Sequence, residues 1–172
     1  MEPSPPAVPE ERLDGWRRVS EATERPFSAG PVSVTAGTVR YEPTDDPEPR
    51  PFLFASRLRI RPDAGPNAAL TRIVERGTRD GFRDRLAAND IEDVELRESR
   101  GIPIDHPPET VATAWTFRGR CVVDDESVPV EAMVAVWEAG QYLLAGGAHP
   151  LIGDVNDARR TLRGFVRGVR PD

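Results

Sequence analysis

The sequence predicts an α+β fold, an antiparallel sheet of about six strands with two or three helices packed mainly on one face. Three observations carry this expectation. Apolar and polar residues alternate over 32–42, 52–61, 111–123 and 128–138, the period of two that half-buried strands require. Short turns link the later segments as hairpins, which makes their pairing antiparallel. Apolar residues return at three- and four-residue steps over 66–89 and 154–168, the mark of helices with one buried face.

The elements follow in order. Residues 1–9 are rich in proline and are expected to be disordered, leaving 10–172 as a single domain. Leu13, Trp16 and Val19 recur at a three-residue step and predict a short helix over 10–23. Strands at 32–42 and 52–61 flank the acidic, proline-rich loop PTDDPEPRP. In the second of them Phe52, Phe54, Leu58 and Ile60 share one face and Arg57, Arg59 and Arg61 the other. Pro66 suits the first turn of a helix that runs to about Asn89. Gly77 and Gly81 inside it each cost about 1 kcal/mol against alanine, which points to a close approach between helix and sheet. A strand at 93–99 precedes a loop, RGIPIDHPPE, broken by Pro103, Pro107 and Pro108. In the strand 111–123, Val111, Trp115, Phe117, Cys121 and Val123 face the core, opposite Arg118 and Arg120. In 128–138, Val128, Val130, Ala132, Val134 and Val136 oppose Glu131, Met133 and Trp137. A strand from Tyr142 to Ala145 is expected to break at GGAHP, and a last helix spans about Asp154 to Gly168.

This order, from Val32 to Val169, resembles the PsbP/Mog1-type α+β sandwich. The matching pieces are the opening strand pair, the long helix Pro66–Asn89, a meander ending in AVWEAGQYLLAGGAHP, and the closing helix DARRTLRGFVRGV. The likeness lies in element order, so no family site residue carries over. The helix at 10–23 and the pair Gly77 and Gly81 lie outside that pattern. Members of that family are mostly accessory or partner-binding proteins, so the resemblance implies a binding role.

Composition narrows the function classes. The chain has 172 residues and a formal net charge of −6, and it contains no lysine. Acids gather in runs such as Asp45-Asp46, Glu92-Asp93 and Asp124-Asp125-Glu126. Codon bias toward arginine explains missing lysine but not added acid. Adaptation to a cytoplasm at molar salt accounts for the acid, because screening at about 3 Å relieves acidic self-repulsion, and is the favoured reading. The composition resembles that of salt-in halophilic archaea. A net acidic chain lacks the basic footprint of a nucleic-acid binder. No run of about 18 apolar residues occurs, and MEPSPPAVPEER is not patterned as a signal peptide. The expectation is a cytoplasmic protein with no membrane contact. A lone cysteine, Cys121, excludes an intrachain disulfide, and its aromatic neighbours make it a packing residue.

No catalytic or cofactor motif stands out. The chain lacks G-x-S-x-G, G-x-G-x-x-G and a Walker lysine, and Ser56 falls on the apolar parity of its strand. His106 and His149 each precede a proline, without local metal-ligand spacing. The remaining feature is the outward sheet face, where Arg57, Arg59, Arg61, Arg118 and Arg120 fall on one parity with Met133 and Trp137. Arginine and tryptophan are enriched at binding hot spots, and guanidinium forks recognise carboxylate or phosphate. The expectation is a binding or accessory domain that meets a protein partner or a small anionic ligand on this face, with no cofactor. One alternative is an enzyme or small-molecule binder with a pocket between the His106 and His149 loops, metal-dependent or not. Another is a homodimeric structural protein.

Overall fold

The computed structural model describes residues 3–27, 31–45, 49–62 and 65–172. These form one open sheet of seven antiparallel strands with an α-helix on either face. The strands are β1 (Trp16–Glu24), β2 (Ser33–Pro43), β3 (Phe52–Arg61), β4 (Glu92–Ile104), β5 (Thr110–Val123), β6 (Glu126–Glu138) and β7 (Tyr142–Pro150). The helices are α1 (Ala68–Ala88) and α2 (Val155–Gly168). Across the sheet the order is β1-β2-β3-β7-β6-β5-β4. Two meanders thus meet in the middle. Helix α1 carries the chain from β3 to the far edge, and β7 returns to pair with β3, Phe52 opposite Ala148 and Arg57 opposite Leu143.

Strand alternation divides the apolar residues between two cores. Against α1 lie Phe54, Phe117, Val134 and Leu144, with Leu70, Val74, Phe82 and Leu86 as the buried stripe of the helix. Phe82 sits between Phe54 and Phe117, with ring centroids 5.8 Å away on each side. Against α2 lie Tyr41, Leu53, Met133, Ala135 and Trp137, with Leu162, Phe165 and Val166 above them. Each helix starts on a side-chain cap. Asn67 accepts from the Leu70 N–H at 2.9 Å, and Asp154 accepts from the Asp157 N–H at 3.0 Å.

The fold class differs from the sequence expectation. The protein is sheet-dominated, with seven strands rather than about six and one helix on each face, and it is not an α+β sandwich of the PsbP/Mog1 kind. The physical reason lies in the second face. The arginines that mark it as outward sit toward the ends of their strands, while its middle is apolar and needs a covering layer of its own.

Four local expectations also change. No helix forms over 10–23; a single 3-10 turn, Glu10–Arg12, leads into edge strand β1. The spacing of Leu13, Trp16 and Val19 is coincidental there, because β1 satisfies its backbone by pairing with β2 from Trp16↔Pro43 to Glu24↔Ala36. The first half of the expected loop at 100–109 is strand, since β4 continues to Ile104. Pro103 is tolerated because β4 is an edge, where a missing N–H removes no ladder bond. GGAHP does not interrupt β7, which runs to Pro150. A Cβ on Gly146 would collide with the Met133 carbonyl, and one on Gly147 with the Phe52 carbonyl, so these glycines let neighbouring backbones close up. Gly77 and Gly81 face not the sheet but the segment after β1, where they meet the Phe27 ring and the Pro26 carbonyl. Residues 46–48 of the proline-rich loop and residues 1–2 lie outside the described residues. Residues 3–9 run along the molecule, with Ala7 bridged to Arg170.

Candidate functional site in the arginine cluster beside helix α2

Helix α2 repeats arginine at Arg159, Arg163 and Arg167. Four-residue spacing stacks the three along one flank, a turn apart. That flank looks toward the sheet residues Arg118, Glu131, Arg100 and Asp105, and each arginine of the helix meets a different neighbour there.

The first meets a buried carboxylate. Arg159 forks onto Glu131, Nε to Oε1 at 2.8 Å and a terminal nitrogen to Oε2 at 2.9 Å. Arg118 Nε adds a third donor to Oε2 at 3.1 Å, from the paired position on β5. Glu131 is 8% exposed. Burial pushes its pKa up, but Arg159, His149 and Arg118 outweigh that and hold it below the usual carboxylate range. The third arginine also meets an acid: Arg167 and Arg12 share Asp105 at 3.2 and 3.3 Å.

The middle one does not. Arg163 faces Arg100, which β4 places opposite Ala114 and hence on the α2 side of the sheet. Among the described residues no carboxylate lies within ion-pair distance of either guanidinium. Arg100 Nε is buried without a hydrogen-bond partner. Burial lowers the Arg163 pKa and the Arg100 charge lowers it further, with Glu98 opposing and Arg159 and Arg167 adding to the repulsion. Two like charges thus face each other in a protein of net charge −6. A third donor set stands beside them in Arg118 and Arg159, two cations held on one carboxylate. Such an arrangement offers planar forks to an incoming oxyanion.

One family is similar over nearly the whole chain: a domain of unknown function (DUF6517) matches residues 5–170. The chain belongs to the DUF6517 family. No curated protein and no solved structure matches it. The matched stretch of this DUF6517 chain contains all seven strands and both α-helices of the described residues and the arginines of the cluster. No helix among its described residues is long and apolar enough to cross a membrane.

The DUF6517 fold does not bring the sequence-predicted arginines together. Arg57 pairs across β7 to Trp137 on β6, whereas Arg118 pairs with Glu131. Those rows are six residues apart on β6, about 20 Å at strand rise. Arg57 donates to the Ser4 carbonyl and to Gln141 Oε1, both at 2.9 Å, and Arg59 and Arg61 lie farther along β3. Arg120 pairs with Asp93 at the opposite end. Met133 and Trp137 are 7% and 4% exposed beneath α2, so neither is a surface anchor. His106 and His149 also stay apart. His106 is in the β4–β5 turn beyond Ile104↔Thr110, and His149 lies on the Arg118 row, about 26 Å along β5. Of the predicted binding residues, only Arg118 belongs to the cluster. Arg159 and Arg163 were legible as a four-residue repeat, while Arg100 was hidden inside a segment whose prolines read as loop.

Proposed function

We propose that this domain is a binding module for a ligand bearing an oxyanion, carboxylate or phosphate, received by the arginine cluster between α2 and the β4–β5 edge. The observation that supports this reading is the unmatched pair Arg100 and Arg163. In an acidic chain a ligand that supplies the missing negative charge removes a repulsion as well as forming forked hydrogen bonds. Arg118 and Arg159 widen the site. Because Glu131 anchors both of them, their forks are held in place before the ligand arrives.

Inorganic phosphate and citrate are suitable probes, titrated calorimetrically in low-chloride buffer. Both are expected to bind, and replacing Arg163 with glutamine is expected to weaken them about tenfold, the equivalent of one charge-assisted contact. Arg100→Gln should act similarly, and Arg61→Gln, at the far end of the sheet, should not. Equal affinity in wild type and the Arg100→Gln/Arg163→Gln double variant would defeat the proposal.

A further inference from the structure

Strand pairing sets Arg118 opposite Glu131 and Glu131 opposite His149, so β5, β6 and β7 carry a row of cation, anion and imidazole across the α2 face of the sheet. Arg159 reaches the same carboxylate from the helix above. The imidazole is buried, at 5% exposure, and its Nδ1 lies 3.3 Å from the Pro150 carbonyl oxygen. A carbonyl only accepts, so Nδ1 carries the proton and Nε2 presents a lone pair. That lone pair faces Glu131 Oε1 at 3.8 Å, and among the described residues Nε2 has no hydrogen-bond partner. Two acceptors turned toward each other in a buried row repel. A proton on Nε2 converts that repulsion into an ion pair without moving either strand.

Glu131 Oε1 is also the oxygen that Arg159 Nε holds at 2.8 Å, while Arg159 and Arg118 share Oε2. A protonated His149 therefore enters as a third cation on a carboxylate that already serves two. The single negative charge is divided further, and more of the charge on Arg118 and Arg159 is left for an external oxyanion. The charged groups acting on the ring are Glu131, Arg159 and Arg118. Farther out, Asp14, Asp154 and Asp157 line one cleft that His149 borders, and Arg40, Glu42, Arg50 and Asp90 line another. This outer set is the same in wild type and in a His149 variant, so comparing the two removes it.

We propose that His149 is a proton-operated regulator of the arginine cluster: a proton taken up at Nε2 pairs the ring with Glu131 and tightens oxyanion binding by Arg118 and Arg159. Such control rests on the oxyanion reading of the cluster. His149 touches no ligand; it acts through Glu131, as a positioning residue. Coupling between a proton and an anion is reciprocal, so a bound anion also raises the proton affinity of His149. Burial first, then Arg159 and Arg118, hold the free ring below its ordinary value, against the Pro150 carbonyl and Glu131. The ring is thus uncharged at neutral pH, and its charge arrives as pH falls below about 6.5. Oxyanion affinity therefore rises as pH falls.

Sulfate is the probe, because it stays doubly charged throughout the working range and its own protonation cannot mimic the effect. Titrated calorimetrically into the full chain in low-chloride buffer, it is expected to bind about threefold more tightly at about pH 5 than at about pH 7.5. In nitrogen-15 spectra of the wild type, saturating sulfate should raise the titration midpoint of His149 by about half a pH unit, the same coupling seen from the proton's side. His106, in the distant β4–β5 turn, should keep its midpoint. His149→Gln, with an amide spectrum matching the wild type, should lose most of the gain at low pH. The proposal is overturned if saturating sulfate leaves the His149 midpoint unmoved, or if the gain survives in His149→Gln. Sulfate bound equally well at both pH values overturns the regulator alone and leaves the oxyanion reading standing. Sulfate that binds at neither overturns both.

Discussion

His149 combines deep burial with a polar neighbourhood, and the two pull in opposite directions. Burial lowers its pKa, the Pro150 carbonyl and Glu131 raise it, Arg159 and Arg118 lower it, and the balance falls below the ordinary histidine value. The native state therefore holds His149 neutral at a pH where the unfolded chain already binds a proton. Unfolding takes up that proton, so stability falls as pH drops below about 6.5 and levels off once the native imidazole also titrates. Glu131 has the opposite charge type but acts in the same direction lower down. Its depressed pKa contributes stability above about 4.3 that disappears as the carboxyl protonates in the native state. Chemical denaturation of wild type and His149→Gln from pH 7.5 to 5 isolates the first component. The wild type should lose stability relative to the variant across that range, and a pH-independent difference would count against a buried neutral imidazole. The parity of Glu131, opposite the core residues of β6, was readable from alternation alone. Its partners were not, because nothing local says that β5 and α2 converge on that one carboxylate.

At the level of elements, strong local periodicity was reliable and weak periodicity was not. Helices α1 and α2 stand within two residues of their expected ends, since each has a side-chain cap and an apolar stripe several turns long. Edge strands were harder to read. β1 has almost no buried position, because it pairs at the rim and covers no core, so it carries neither the strand nor the helix signal. β4 is irregular, with register shifts between Glu92 and Glu95 and between Leu96 and Glu98, which break the alternation. The glycines of α1 were visible, but not what approaches them. Alanine at Gly81 would raise helix propensity by about 1 kcal/mol. It would also drive a methyl group into the Pro26 carbonyl, and backbone cannot step aside as a flexible side chain can. Gly81→Ala is thus expected to destabilise the protein by about 1–3 kcal/mol in urea titration, as overpacking does. Stabilisation by the helix propensity gain would mean that the 25–27 segment does not press on α1.

For the molecule as a whole, charge is sorted by position. Acids crowd the turns and rims, as at the exposed Asp124, Asp125 and Glu126, while many arginines sit against carboxylates or aromatic rings. A surface of that kind repels itself in dilute buffer. The salt-adaptation reading of the composition therefore predicts a melting temperature that climbs steeply between about 0.1 M and molar KCl, as the screening length contracts to about 3 Å. A flat profile would leave codon bias as the simpler account of the missing lysine. The topology has a consequence of its own. Strand β7 pairs with β3 and β6, so the middle of the sheet is completed only after the six other strands have left the ribosome. Until then the first three strands and α1 present apolar surface with nothing on which to close. A cell making this chain must shelter an unfinished sheet while β4, β5 and β6 are made, and the seam closes only when β7 slots between β3 and β6.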